Sequence, residues 1–503
     1  MRRHVYALSP ADQTYAGGDT EAETANLPPH VLTLDAVALG DASADDRKWA
    51  RGELSRLAIA DRDYLLYDAL AAVGDPPQLA PRTRWPTSYV AAASRTLYVR
   101  SRWDDRASWL VTACAGALDV DHHHPDAGTF VLSRGRDDLI VDPSPYGTLS
   151  TLTSNAPTVR SSNLPRDYVP SQGAWGERTG FDFAAQRASG VAVARCNYAD
   201  QYKMQERASD VPLALRDLVY VPALDRGDAI VIAIDRATTG GDDRELLVRF
   251  RVPAPLQADP AHPARTTAVV GGSKIAIEQL ALADGAAPVA TIRGNFAKDC
   301  FAEGTVRGQC DAARFSVTQV EARANGRDVA LVHVLSATAA AAEPATATMR
   351  ALGAWTALDV RGVRDATVLW RRAEPAGDAP LVVPVRPGAA VIVLDAPERD
   401  GNAQVVAHRK GDACELAITA GGSFAARPLV VAVDDACTVH DDAVTTGAAP
   451  APRATPRPGV RSPRSGCCGA QAAPGASPVL ALLVLAAILR RRAARPRSAR
   501  SAR

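Results

Sequence analysis

From Trp85 onward the chain is cut by Gly, Asp, Asn and Pro into short apolar or alternating runs: T-L-Y-V-R, W-L-V-T-A, T-F-V-L, D-L-I-V-D, G-V-A-V-A-R, A-I-V-I-A-I-D, E-L-L-V-R-F-R-V, A-L-V-H-V-L and A-A-V-I-V-L. Runs of this length and composition pair as antiparallel strands. A long series of them closes its apolar faces by packing sheet on sheet. The expected fold class is therefore mainly β, built as one or two antiparallel sandwiches. The stretch D-R-A-T-T-G-G-D-D-R-E at 235–245 reads as the turn of a hairpin between two of these runs. Upstream, residues 44–73 carry apolar side chains at helical spacing and stop at Gly74, ahead of Pro76 and Pro77, which predicts two short helices or one broken helix.

The 503 residues are enough for several domains with real cores. The formal net charge of +1 hides an asymmetry: from residue 443 onward there are eleven arginines and no acidic residue, which leaves 46 basic against 56 acidic residues in the body. A body carrying about ten excess negative charges argues against nucleic acid as a partner. Residues 443–466 are rich in Pro, Ala and Arg without hydrophobic periodicity, the pattern of an extended, disordered stalk.

The end of the chain reads S-G-C-C-G-A-Q-A-A-P-G-A-S-P, then V-L-A-L-L-V-L-A-A-I-L, then R-R-R-A-A-R-P-R. A cysteine-bearing spacer, a short apolar helix and a basic stop predict a C-terminal transmembrane helix with its arginines in the cytoplasm and the body outside. This tail is similar to the MYXO-CTERM sorting signal. The resemblance implies processing by a protease at Cys467 and Cys468, with an ordinary tail anchor as the alternative. The protein is then expected in the cell envelope, exported and held to the membrane through its tail. At the other end, M-R-R-H leads into V-Y-A-L-S with no apolar core for a signal peptide, so export implies a start upstream of Met1.

Cysteine spacing adds to the picture. Cys300 and Cys310 flank a Gly-containing turn, and Cys414 and Cys437 bracket two strand-like runs, as two local disulfides in an oxidising compartment would, or else as four buried thiols. Cys114 and Cys196 lie in apolar strand stretches and read as buried residues. The isolated His262, His333, His408 and His440 read as structural, and G-G-S-K at 271–274 lacks the spacing of a phosphate loop.

The run D-H-H-H-P-D-A-G-T-F at 121–130 holds three of the nine histidines. In an extended chain His122, His124 and Asp126 share one side and His123 the other. Imidazoles at this spacing, with carboxylates, suit zinc, although a solvated or core-satisfied cluster fits the same letters. The following F-V-L-S-R-G-R-D-D-L-I-V-D-P predicts a hairpin turning near Gly135, which returns Asp142 toward His124.

Here the sequence resembles the heparinase II/III-like family of polysaccharide lyases, in which a helical toroid precedes β-sandwich domains. The resemblance rests on H-x-H-x-D-x-x-T-F (His122, His124, Asp126, Thr129, Phe130), then Asp142-Pro143 and Tyr146. It extends to L-Y-V-R-S-R-W-D-D-R-A-S-W-L-V-T-A upstream and S-Q-G-A-W-G near Gly173, and covers roughly residues 45–370. It implies His124 and Asp142 as zinc ligands, His122 as a catalytic histidine lining the cleft and Tyr146 at the cleft edge. It also implies β-elimination of a uronate-containing acidic polysaccharide. Two departures stand out. The family's third metal-binding histidine is here Ser154, beside Asn155, and only about eighty residues precede the sandwich. Tyr64 and Tyr67, on the helical piece, read as packing residues. Arg100, Arg102 and Arg106 offer positive charge to an anionic chain, or are ordinary solvated charges.

The organisation expected from all this is a segment with a helical remnant of the toroid at 1–84, a β-sandwich at 85–370 and a small β domain at 371–442. The stalk at 443–466 and the sorting tail at 467–503 follow. A non-catalytic carbohydrate-binding or envelope-structural sandwich is the alternative to the lyase.

Overall fold

The computed structural model describes residues 2–15, 27–57, 77–116, 124–142, 151, 154–163, 172–173, 176–203, 208–241, 244–280, 291–293, 318–371, 381–396, 404–419 and 428–448. Within them the protein is mainly β, with antiparallel sheets and few helices. No helix among the described residues is long and apolar enough to cross a membrane. The expected span, the stalk beyond residue 448, Cys467 and Cys468 lie outside them, as do Tyr64, Tyr67, Cys300 and Cys310.

Three helices precede the sheets: α1 (Arg2–Ala7), α2 (Leu27–Leu39) and α3 (Ala44–Arg56). Ser43 caps α3 by accepting from the Asp46 amide, and Asp45 and Asp46 complement the positive end of the helix. Val31, Leu34 and Ala38 of α2 bury against Ala50 and Leu54 of α3. The sequence reading missed α2, which begins with Leu-Pro-Pro, residues that suit a first turn where amide donors have no intrahelical partner.

The first sheet is a five-stranded meander of β1 (Ser88–Ala91), β2 (Thr96–Arg100), β3 (Ser108–Ala113), β4 (Phe130–Arg134) and β5 (Asp137–Ile140), paired in chain order. A nine-stranded sheet forms the centre, with Ala229–Thr238 lying between Leu213–Pro222 and Asp328–Ala339. Alternation along these strands gives it two buried faces. Val231 and Ala233 look toward one core with Val99, Phe130 and Phe250, while Ile230, Ile232 and Ile234 look toward another with Leu358, Val368 and Ile392. The second core is closed by a six-stranded sheet that runs from Thr346–Leu352 to Val439–Asp441 and crosses residue 370 through the pairing of Ala366–Arg371 with Ala390–Val393. A three-stranded sheet covers its far face, where Val383, Cys414 and Leu416 pack on Ala357 and Val393.

Two expectations are corrected. The 235–245 stretch is not a hairpin turn, because Ala229–Thr238 pairs only within the central sheet whereas Glu245–Val252 pairs with Thr318–Asn325 and Thr158–Val159 in a separate four-stranded sheet. The link changes sheets. Val444–Ala448, placed in the stalk by composition, is an edge strand of the central sheet beside Gly180–Arg187. At 271–274, Gly271 (φ 55°) makes a tight turn, and its neighbours Gly272 and Ser273 donate to the Asp137 carboxylate.

Cys414 and Cys437 form the expected disulfide. A second joins Cys114, just past β3, to Cys196 on Ala192–Asn197, so it ties the first sheet to the central one. At a sequence separation of 82, no local spacing announced the pair.

Candidate functional site

The site is built by the β4–β5 hairpin. Gly135 takes a positive φ of 57° in the turn, Arg134 faces Asp137, and a register shift after Leu132 still leaves Leu132 opposite Ile140. Continuing that register carries Asp142 back beside Thr129. The Asp142 Oδ2 atom accepts from Thr129 Oγ1 at 2.8 Å and from Tyr15 Oη at 3.1 Å. His124 is 1% exposed and acts electrostatically on both Asp126 and Asp142. His122 and Tyr146 lie outside the described residues.

Burial dominates the electrostatics. It lifts the Asp126 carboxyl to about 7, with the negative charge of Asp142 adding to the lift and His124 opposing it. Burial also raises Asp142, against the pull of the Thr129 hydrogen bond, Arg251, His124 and the Tyr15 hydroxyl. Tyr15 is pushed well above the usual phenol range by burial and by Asp142 and Asp126, which keeps its hydroxyl a donor. Asp126, Asp142 and His124 thus act on one another where burial makes negative charge costly, and Arg251 already compensates Asp142.

The loops that carry these groups are fixed from several directions. Gln172 donates through Nε2 to Ala127 O and Pro157 O, at 2.8 and 2.9 Å, and its Oε1 accepts from the Ala127 amide. Asn155 donates to Phe130 O and Val141 O while accepting from the Arg251 amide. Arg216, on Leu213–Pro222, reaches through Nη1 to Gly128 O at 2.9 Å and Asn155 O at 2.7 Å. Arg251 donates to Ser154 O. The backbone on both sides of the site is therefore pinned to the central and four-stranded sheets.

Ser154 is fully buried, and its hydroxyl donates to Thr151 O at 3.2 Å and accepts from the Ala156 amide at 3.1 Å. It serves the turn of its own loop. Among the described residues no group of three His, Cys, Asp or Glu side chains forms a metal-holding set. Of the residues the resemblance assigns to zinc, the structure therefore describes one imidazole, His124, and one buried carboxylate, Asp142, short of the four ligands of a closed site.

No family model and no curated protein matches the chain. Its fold is similar to solved structures of a heparinase III gene product, at 13% identity and a TM-score of 0.48 over 74% of this chain and 51% of that one. The heparan sulfate lyase HepC from Pedobacter heparinus matches at 12% identity and a TM-score of 0.46, over 74% of this chain and 52% of that one. A further heparinase III matches at 10% and 0.48, over 73% and 53%. The chain spans about half the length of these proteins.

Among the other residues singled out from sequence, Arg100 is not a surface charge. It is buried, donates to Tyr6 O and Leu8 O, and lies over the Trp103 ring at 4.1 Å; burial lowers it to about 9. Arg102 donates to Asp225 O and pairs with Asp104. His333 is buried against Phe250 and kept neutral, whereas His262, His408 and His440 sit on the surface beside Asp259, Glu415 and Asp434. Sequence reasoning missed Tyr15, which stands 127 positions from its partner with no local signal. Gln172 had one, since it belongs to the S-Q-G-A-W-G stretch.

Proposed function

We propose that this chain carries the sandwich part of a heparinase II/III-like polysaccharide lyase, acting by β-elimination on a uronate-containing acidic polysaccharide. The observation that carries the reading is the meeting of motif and geometry at Asp142. The hairpin brings the aspartate of D-P-x-x-Y back to Thr129 and into electrostatic reach of His124, the residues the motif associates with it.

In such a reaction a base takes the proton α to the uronate carboxyl and an acid protonates the departing glycosidic oxygen. Hydrogen bonding to the carboxylate makes that proton removable. His122, next to the pinned 124–129 loop, is the residue suited to donate that bond, with Tyr146 at the cleft edge. His124 and Asp142 would hold a zinc ion, which when bound supplies charge compensation to the buried carboxylates. The disulfides Cys114–Cys196 and Cys414–Cys437 support export to an oxidising compartment. The tail pattern supports anchoring in the cell envelope after processing at Cys467 and Cys468.

The test is the ultraviolet absorbance of unsaturated uronate product on a panel of uronate-containing polysaccharides, for the wild type and His122→Ala. Product that disappears in the variant is expected. Saturable binding without product from any polymer would instead favour a non-catalytic carbohydrate-binding sandwich, a reading that the buried, turn-committed Ser154 supports.

A further inference from the structure

We propose that the C-terminal β layers carry a second carbohydrate site, a pocket between the six-stranded and three-stranded sheets that takes a uronate-bearing sugar through Arg361 and Arg386. The ligand class is read from the lining itself, so the inference goes beyond the lyase reading and is tested apart from it.

The pocket arises because one face of the six-stranded sheet changes character along its strands. On Trp355–Arg361 the alternate residues Trp355 and Ala357 enter the core shared with the three-stranded sheet, while Asp359 and Arg361 continue the same face as polar groups that line the pocket. On Ala366–Arg371, Leu369 enters that core, and Thr367, opposite Asp359, lines the pocket. The three-stranded sheet contributes Pro384, Val385 and Arg386 from the other side. Two sheets packed together at one end thus leave a cavity of about 420 Å³ at the other. Small-molecule sites fall in the range of about 300–1,000 Å³. This cavity lies on the face of the six-stranded sheet turned away from the central sheet, so it is separate from the hairpin that carries Asp142.

The floor is fixed before any ligand arrives. Arg350 Nε donates to Asp359 Oδ2 at 2.7 Å and its Nη2 to Pro384 O at 3.3 Å, which ties the two sheets, and Thr367 Oγ1 donates to Asp359 Oδ1 at 2.9 Å. These bonds occupy both Asp359 oxygens and set one positive charge against one negative. What stays open is cationic. Arg361 is exposed and has no ion pair among the described residues, and Arg386, 55% exposed, stands 3.9 Å from Asp365. Thr346 and Thr348 add exposed hydroxyls beside them, and among the described residues no aromatic ring lines the pocket. Two guanidinium groups flanked by hydroxyls match a carboxylate carried on a polyhydroxylated ring. A neutral sugar would leave both guanidinium groups unused and find no ring to stack on. A peptide would find no main-chain ladder to join, because the floor strands Trp355–Arg361 and Ala366–Arg371 are paired on both sides.

The experiment titrates the full chain into disaccharides that end in glucuronate, galacturonate or iduronate, and into the corresponding neutral disaccharides, with binding read from the ligand proton signals. The terminal uronate carries no leaving sugar, so elimination cannot consume the probe. At least one uronate disaccharide is expected to bind saturably, with its neutral counterpart about tenfold weaker or more, the effect of losing a charge-assisted bond. Arg361→Ala and Arg386→Ala should each weaken uronate binding about tenfold, and the double variant should abolish it. Arg226→Ala, an exposed arginine on the turn between Leu213–Pro222 and Ala229–Thr238, should leave it unchanged and controls for net charge. Melting of each variant reports folding. Wild-type affinity in the double variant, equal affinity for the neutral disaccharides, an equal loss in Arg226→Ala or no binding of any uronate would overturn the proposal. A tetraglutamate peptide that binds as tightly as the best disaccharide would overturn the assignment to sugar. Uronate binding that needs Arg361, in a protein that yields no elimination product, would overturn the lyase reading and leave the pocket standing. If a single variant fails to fold, the other arginine variant and the comparison of charged with neutral disaccharides carry the same decision.

Discussion

Arg216 and Asp235 form a bidentate ion pair with both side chains fully buried, Nε to Oδ1 at 2.7 Å and Nη2 to Oδ2 at 3.0 Å. They face the same core as Val231, and the remaining Arg216 nitrogen holds the two site loops. Removing one partner strands the other charge in the interior, which costs about 3–5 kcal/mol. Arg216→Met is expected to lower unfolding stability by that amount in chemical denaturation, and the double variant with Asp235→Ala to regain part of it. A single variant as stable as wild type would mean that water reaches the pair.

On the opposite face of the central sheet, Arg195 and Arg236 each bridge Asp217 and Asp395, a ring of four charges that joins this sheet to the six-stranded one. Burial alone would raise Asp395, but Arg236 and Arg195 outweigh it and bring the carboxyl to about 2. A folded value below the unfolded one stabilises the protein above pH ~4, and this contribution is lost as the pH falls toward ~2. It corresponds to roughly 2 kcal/mol. Acid titration of stability should show this limb in wild type and lack it in Asp395→Asn, which should also be less stable at neutral pH.

The Cys114–Cys196 bridge closes a loop of 82 residues in the unfolded chain. On the chain-entropy model such a loop contributes about 4.5 kcal/mol. Cys196→Ala should therefore lower the denaturation midpoint markedly, and reduction of the wild type, which also opens Cys414–Cys437, should lower it at least as far. Equal midpoints with and without the bridge would show that the two sheets are held by packing alone.

Gln172→Leu keeps size and removes every bond that the side chain makes to Ala127 and Pro157. Orphaned buried backbone groups cost about 1–3 kcal/mol each. A loss of several kcal/mol, with faster amide exchange around Ala127, is the expected result. An unchanged exchange pattern would assign loop rigidity to Arg216 and Asn155.

The strands were legible because β-rich runs punctuated by Gly, Asp and Pro leave a period that any reader can follow. Their partners were not. A-I-V-I-A-I-D is apolar on both faces because both are buried, so the letters do not say which core each residue enters. Arg216, Arg249 and Arg251 look like outward positions of alternating strands, yet all three are buried. At the site, the hairpin and the return of Asp142 followed from local turn chemistry at Gly135. The contribution of Tyr15 depends on a tertiary contact that no periodicity encodes.

The docking of the first fifteen residues also bears on the order in which the protein assembles. Tyr6, Leu8 and Tyr15 are synthesised before Arg100, Trp109 and Asp142, to which they bond and which follow some 90 to 130 positions later. Until then Val5, Tyr6 and Leu8 lack the sheet residues that bury them in the folded protein. The capture of residues 2–15 by Arg100 and Asp142 is therefore a long-range closure that cannot precede the synthesis of the first sheet.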